Sequence, residues 1–80
     1  MTPQQAVAAA CKLVGGQAAL AKALEVKPPT VNQWASGERP VPAARAVEIE
    51  RATKGAVSRK SLCPDFPWDL DGDVEMIGAA

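Results

Sequence analysis

Apolar residues return at helical intervals through most of the chain. Ala6, Val7, Ala10, Leu13 and Val14 form the first such set. Thr2 precedes it as an N-cap, with Pro3 at the first helical position, where its missing N–H costs nothing. Gly15-Gly16 stops the pattern, so the spacing predicts a helix over 3–14. Ala18, Leu20, Ala21 and Leu24 then mark a second, short helix over 17–24. After the connection Glu25-Val26-Lys27, Pro28-Pro29 fit only a first helical turn. A third helix is therefore expected from about Pro28 to Ser36, with Val31 and Trp34 turned inward and Gly37 at its end.

Glu38-Arg39-Pro40-Val41 reads as a loop. Pro42 opens a fourth helix running to about Lys54, with Ala46, Val47, Ile49 and Ala52 as core candidates and Gly55 beyond it. Ser58–Leu62 suits one further helical turn. From Cys63 onward, Pro64, Pro67, Gly72 and a series of aspartates interrupt any regular period. The run Val74–Ile77 is compatible with a short strand or with disorder. The expected fold is all-α: a compact domain of four to five helices over 1–62, followed by an irregular acidic tail over 63–80.

Eighty residues suit one domain with a modest core, which makes self-pairing a reasonable expectation. Many apolar residues are Ala, and the aromatics are only Trp34, Phe66 and Trp68, which favours closely packed helices over a β-sandwich. Two cysteines, Cys11 and Cys63, read as small reduced hydrophobes. The chain has no histidine, so a Cys/His zinc site is not expected, nor is any other cofactor. The N-terminal residues lack an export pattern, and no apolar run approaches the roughly 20 residues of a membrane span. A cytoplasmic protein of bacterial or phage origin, not engaged with membrane, is the expectation.

The net charge of zero conceals a segregation. Residues 1–60 carry nine basic and four acidic side chains, whereas 61–80 carry five acidic and none basic. A basic body suits a nucleic-acid partner. The stretch over 17–37 sharpens this. Two short helices joined by about three residues, the second opening polar and closing on an apolar residue, describe a helix-turn-helix. Small Ala21 suits the closest approach of the two helices. Leu20 and Leu24 pin the first, Val26 fills the space under the turn, and Val31 and Trp34 hold the second. Thr30, Asn32, Gln33 and Ser36 are left to look elsewhere, with Pro28 and Pro29 at the leading tip. A helix so presented fits a major groove about 12 Å wide.

The segment Gln17-Ala18-Ala19-Leu20-Ala21-Lys22-Ala23-Leu24, with Val26, Pro28–Trp34 and Ser36-Gly37, resembles the helix-turn-helix of the lambda-repressor-like Cro/CI superfamily. The continuation through Pro42-Ala43 to Thr53 is similar to the narrower YdaS/Cro group of prophage and toxin–antitoxin-associated regulators. The resemblance covers roughly residues 3–62. It implies that Gln33 pairs with adenine, that Asn32 and Thr30 flank it, and that Pro28 and Pro29 lie against a thymine methyl. It implies phosphate contacts from Gln17, and further ones from Lys27, Ser36 and Arg39. Glu25 departs from the pattern, standing where the family usually has Gly. If φ is positive there, Glu costs on the order of 1 kcal/mol; a turn with negative φ is the alternative.

The expected function is a Cro-like repressor that binds a palindromic operator in double-stranded DNA as a homodimer or higher oligomer. The alternative is an antitoxin-like module whose acidic tail captures a protein partner. Phe66, Trp68, Val74, Met76 and Ile77 are candidates for an oligomer interface in the tail, and packing of Trp68 on its own helical body is the competing reading. Enzymatic chemistry is not expected, for want of a histidine, a metal cluster, a phosphate-cradling Gly loop or a nucleophile beside a base.

Overall fold

The computed structural model describes residues 1–68, which contain five helices and no strand. These are α1 (Pro3–Val14), α2 (Gln17–Leu24), α3 (Pro28–Ser36), α4 (Ala43–Ala52) and α5 (Arg59–Leu62). The tail residues Val74, Met76 and Ile77 lie outside the described range. Local chemistry accounts for the helix ends. Thr2 accepts the Gln5 N–H at 3.1 Å while the Gln5 side chain accepts the Thr2 N–H at 3.0 Å, a reciprocal box that satisfies two orphan donors. Gly15 at φ 107° and Gly37 at φ 82° close α1 and α3 in the left-handed conformation.

One contiguous core joins the helices. α1 packs on α2, α3 and α5; α2 packs on α3 and α4; and α4 packs on α5. Ala6, Val7, Ala10 and Cys11 supply the α1 face, Leu20, Ala21 and Leu24 that of α2, and Ala46 and Ile49 that of α4. Val41, Val57 and Leu62 close the bottom. Three expectations need correcting. Leu13 is 59% exposed, because the buried stripe of α1 passes through Cys11 instead. Ala18 is exposed on the first turn of α2. The fourth helix is shorter than expected: Pro42 is its N-cap, and it gives way after Ala52 to a turn containing Lys54 and Gly55, both at positive φ. Burial of Cys11 pushes its thiol up from the usual range, a shift partly opposed by a backbone hydrogen bond. No single helix among the described residues is long and apolar enough to cross a membrane.

The turn between α2 and α3 resolves the question of Glu25. Its backbone lies at φ 57°, ψ 41°, in the left-handed region. There its N–H reaches the Lys22 carbonyl at 3.2 Å, and the Val26 N–H reaches that of Ala21 at 2.9 Å. A third carbonyl of α2, that of Leu24, accepts Arg45 Nη1 from α4 at 3.0 Å. The same Nη1 meets Glu48 at 2.7 Å. Glu48 therefore pairs with Arg45, although Arg51 lies equally three residues from it along the chain. Arg45 is thus a brace between α4 and the turn.

The end of the body is clasped in the same manner. Glu50 accepts the Arg59 N–H at 3.1 Å and Arg59 Nε at 2.8 Å, tying α4 to the start of α5. Buried Thr53 directs its hydroxyl at the Ile49 and Glu50 carbonyls and accepts the Val57 N–H at 3.2 Å. Trp68 packs back on the core, its indole N–H donating to the Cys63 carbonyl at 2.8 Å. Its ring lies under the Arg59 guanidinium and 4.5 Å from the ring of Phe66.

Two stability predictions follow from the turn. Glu25→Gly removes left-handed strain of about 1–2 kcal/mol and gains unfolded-chain entropy of about half that, for a net gain near 0.5–1 kcal/mol in urea unfolding. A loss of stability in that variant would show that the turn is not strained. Arg45→Met is expected to cost about 1 kcal/mol through the lost bond to the Leu24 carbonyl, while Glu48→Gln stays within about 0.5 kcal/mol because its pair is half exposed. Equal costs would place the Arg45 contribution in the ion pair.

Candidate nucleic-acid interface

The site is built on α3. Val31 and Trp34 are 0% and 3% exposed, so the inner side of this helix is anchored in the core. Pro28, Pro29 and Asn32 lie exposed on it, while Thr30 and Gln33 are half-buried at its flank. The two prolines fill the first turn, where N–H groups have no intrahelical partner, and the Thr30 N–H closes onto the Lys27 carbonyl at 2.9 Å. The helix tip is consequently stiff and carries rings instead of hydrogen-bonding groups.

Thr30 and Gln33 line an open groove of about 470 Å³ together with Val26, Arg39, Pro42 and Arg45. Among the described residues no hydrogen bond holds the side-chain amides of Asn32 or Gln33. The Gln33 main chain is occupied: its carbonyl accepts the Arg39 N–H at 3.2 Å and the Ser36 hydroxyl at 3.2 Å. The Arg39 bond and the Glu38 N–H, which donates to Ser36 Oγ at 3.4 Å, fold the Glu38-Arg39 loop back along α3 and bring Arg39 beside the groove. The Ser36 bond commits its proton, leaving that hydroxyl a poorer donor to a phosphate than its place in the sequence suggests.

The structure therefore brings Thr30, Gln33 and Arg39 to one groove and leaves Gln17, Lys27 and Ser36 outside it. Gln17 is exposed at the start of α2, whose N-cap, Gly16, provides no side-chain acceptor for the first N–H groups. Exposed Lys27 is the N-cap of α3. Arg45 is the residue that sequence reasoning passed over. Its link to the Leu24 carbonyl spans 21 positions, and no local pattern announces such a contact. Among the described residues no group of three or more His, Cys, Asp or Glu side chains is placed to hold a metal. Of the tail candidates, Trp68 and Phe66 stack on each other and Trp68 on its own body.

The family model described as "Bacterial toxin YdaS" matches residues 7–70. A protein of Escherichia coli (strain K12), named "Putative transcriptional regulator YdaS", is 54% identical over 59 residues. That match covers 74% of this chain and 60% of the relative, so the chain spans less than two thirds of the relative's length. No solved structure matches. With most of its length, including all of α2, α3 and α4, inside the family model, the chain belongs to the YdaS family.

Proposed function

We propose that the chain is a DNA-binding transcriptional regulator that reads an operator with the outer face of α3. The observation that carries this reading is the two-sidedness of that helix. Val31 and Trp34 fix one side in the core, while Pro28, Pro29 and Asn32 stand open and Thr30, Gln33 and Arg39 line the adjoining groove. In the major groove the Gln33 amide has the donor and acceptor spacing to pair with adenine N6 and N7. Asn32 and Thr30 would flank it, and the proline rings would meet thymine methyl groups. Arg39, Lys27 and Gln17 supply phosphate contacts that set register without reading sequence. The regulator named among the relatives supports the role. Binding as a homodimer would place two copies of α3 in successive major grooves, about 34 Å apart on a palindromic site.

The family description names a toxin, which favours a second reading in which expression of the chain arrests growth. The two are compatible if arrest comes from occupying DNA. Arrest that persists in variants unable to bind DNA would assign the toxicity to another target.

Selection of duplexes from a random pool tests the main reading. A single preferred motif should emerge, with affinity falling steeply as salt rises. Gln33→Ala should relax the preference at one base position, costing about 1–3 kcal/mol there. Arg39→Ala should weaken all sequences alike and reduce the salt slope by about one. Failure to enrich any motif, together with salt-insensitive binding, would overturn the reading.

A further inference from the structure

α3 carries no charged side chain. It can present polar groups to base edges, but it cannot neutralise the phosphates that supply much of the affinity for DNA. Cations must therefore reach the helix from its neighbours. The groove beside α3 meets this need from two elements. Arg39 enters it from the loop after α3 and Arg45 from the first turn of α4, with Thr30, Gln33, Val26 and Pro42 among the other walls. No acidic side chain lines it. The cleft between the N-terminus of α1 and Cys63–Asp65 differs in this respect, since Asp65 shares its lining with Arg39.

Arg45 is held in a way that leaves it donors to offer. Both of its bonds use one nitrogen: Nη1 donates to the Leu24 carbonyl at 3.0 Å and to Glu48 at 2.7 Å. Among the described residues nothing accepts from Nη2 or Nε. A guanidinium fixed by two bonds has lost most of its rotamer freedom already, so a ligand meeting its remaining donors orders little more. A phosphate diester presents paired oxygens that suit such a planar fork. Glu48 orients the group, and its own side chain is 44% exposed, so solvent screens its charge. Arg39 is prepared differently. Its main-chain N–H is tied to the Gln33 carbonyl, and its exposed guanidinium has no partner among the described residues.

We propose that Arg39 and Arg45 hold one backbone phosphate of bound DNA between them in this groove. The proposal rests on the reading of α3 as a DNA-binding helix and adds to that reading a residue of α4. Arg45 then performs two tasks with one rigid group. Nη1 holds the turn before α3, and the remaining donors hold the phosphate. The place of that phosphate is thereby referred to the Leu24 carbonyl, at the end of the helix before α3. A contact that reads no base thus sets the register in which Gln33, on the wall of the same groove, meets one.

The test uses the full chain, the variants Arg39→Ala, Arg45→Met and Arg45→Lys, and the duplex that the unmodified chain selects. Arg45→Met should bind every sequence about tenfold more weakly, lower the salt slope by about one and keep the preferred motif. Arg45→Lys retains the charge and should keep the slope while losing part of the affinity with the fork. Duplexes in which one phosphate at a time is replaced by a neutral methylphosphonate then locate the contact. One position should cost the unmodified chain about tenfold, and that same position should lose its effect in both Arg39→Ala and Arg45→Met. Different silenced positions in the two variants overturn the shared phosphate. A broadened motif with an unchanged slope in Arg45→Met shows a brace alone and also overturns the proposal. Inorganic phosphate, added without DNA, separates this failure from that of the operator reading. It should shift the side-chain Nε resonances of Arg39 and Arg45 together, where chloride at equal ionic strength does not. Joint shifts in a chain that selects no duplex sink the operator reading and leave the anion seat standing; unmoved resonances overturn the seat.

Discussion

The burial of Val31 and Trp34 governs what α3 can do. A nine-residue helix opened by two prolines has little stability by itself, because helices this short are marginal in water. Its order comes from one side being locked into the core shared with α1 and α2. The same lock determines which residues remain outside, so the surface available for recognition is the complement of the packing. Large-to-small changes at such positions typically cost several kcal/mol, a substantial share of the stability of so small a domain.

The geometry at the tip depends on the turn before α3. Glu25 adopts a left-handed conformation that glycine would adopt without penalty, and three α2 carbonyls are satisfied around it. One of these bonds comes from Arg45 on α4. The position of α3 is therefore set through α4 as well as by its own packing on α1 and α2. The bonds from the Arg39 N–H to the Gln33 carbonyl and from the Glu38 N–H to Ser36 Oγ serve the far end in the same way, holding the loop against the helix it follows. A loop tied back to its own helix keeps Arg39 at the edge of two depressions.

Charge is organised at the level of the whole chain, and among the described residues two ion pairs bear on the fold. Arg45–Glu48 and Arg59–Glu50 each do local structural work, and the second also positions a cation over the ring of Trp68. The basic excess that remains on the body and the acidic excess of the tail form a second, longer-range pattern. A zero net charge is thus the sum of two opposed segments and says little about either surface.

Much of this protein was legible in the residues alone, because helix limits are local chemistry. Thr2-Pro3, Gly15-Gly16, Pro28-Pro29 and Gly37 each act within one turn of themselves, and the observed limits of α1, α2 and α3 coincide with the expected ones. The burial of Trp34 and the outward placement of Asn32 were readable for the same reason, since helical periodicity assigns opposite sides. What the sequence could not settle were the matters decided between elements. The exposure of Leu13, the burial of Cys11, the choice of Arg45 over Arg51 as partner of Glu48, and the sign of φ at Glu25 all depend on which helix arrives where. So does the return of Trp68 onto the body. Spacing along a chain fixes what a residue can face, but only packing in three dimensions selects the neighbour it meets.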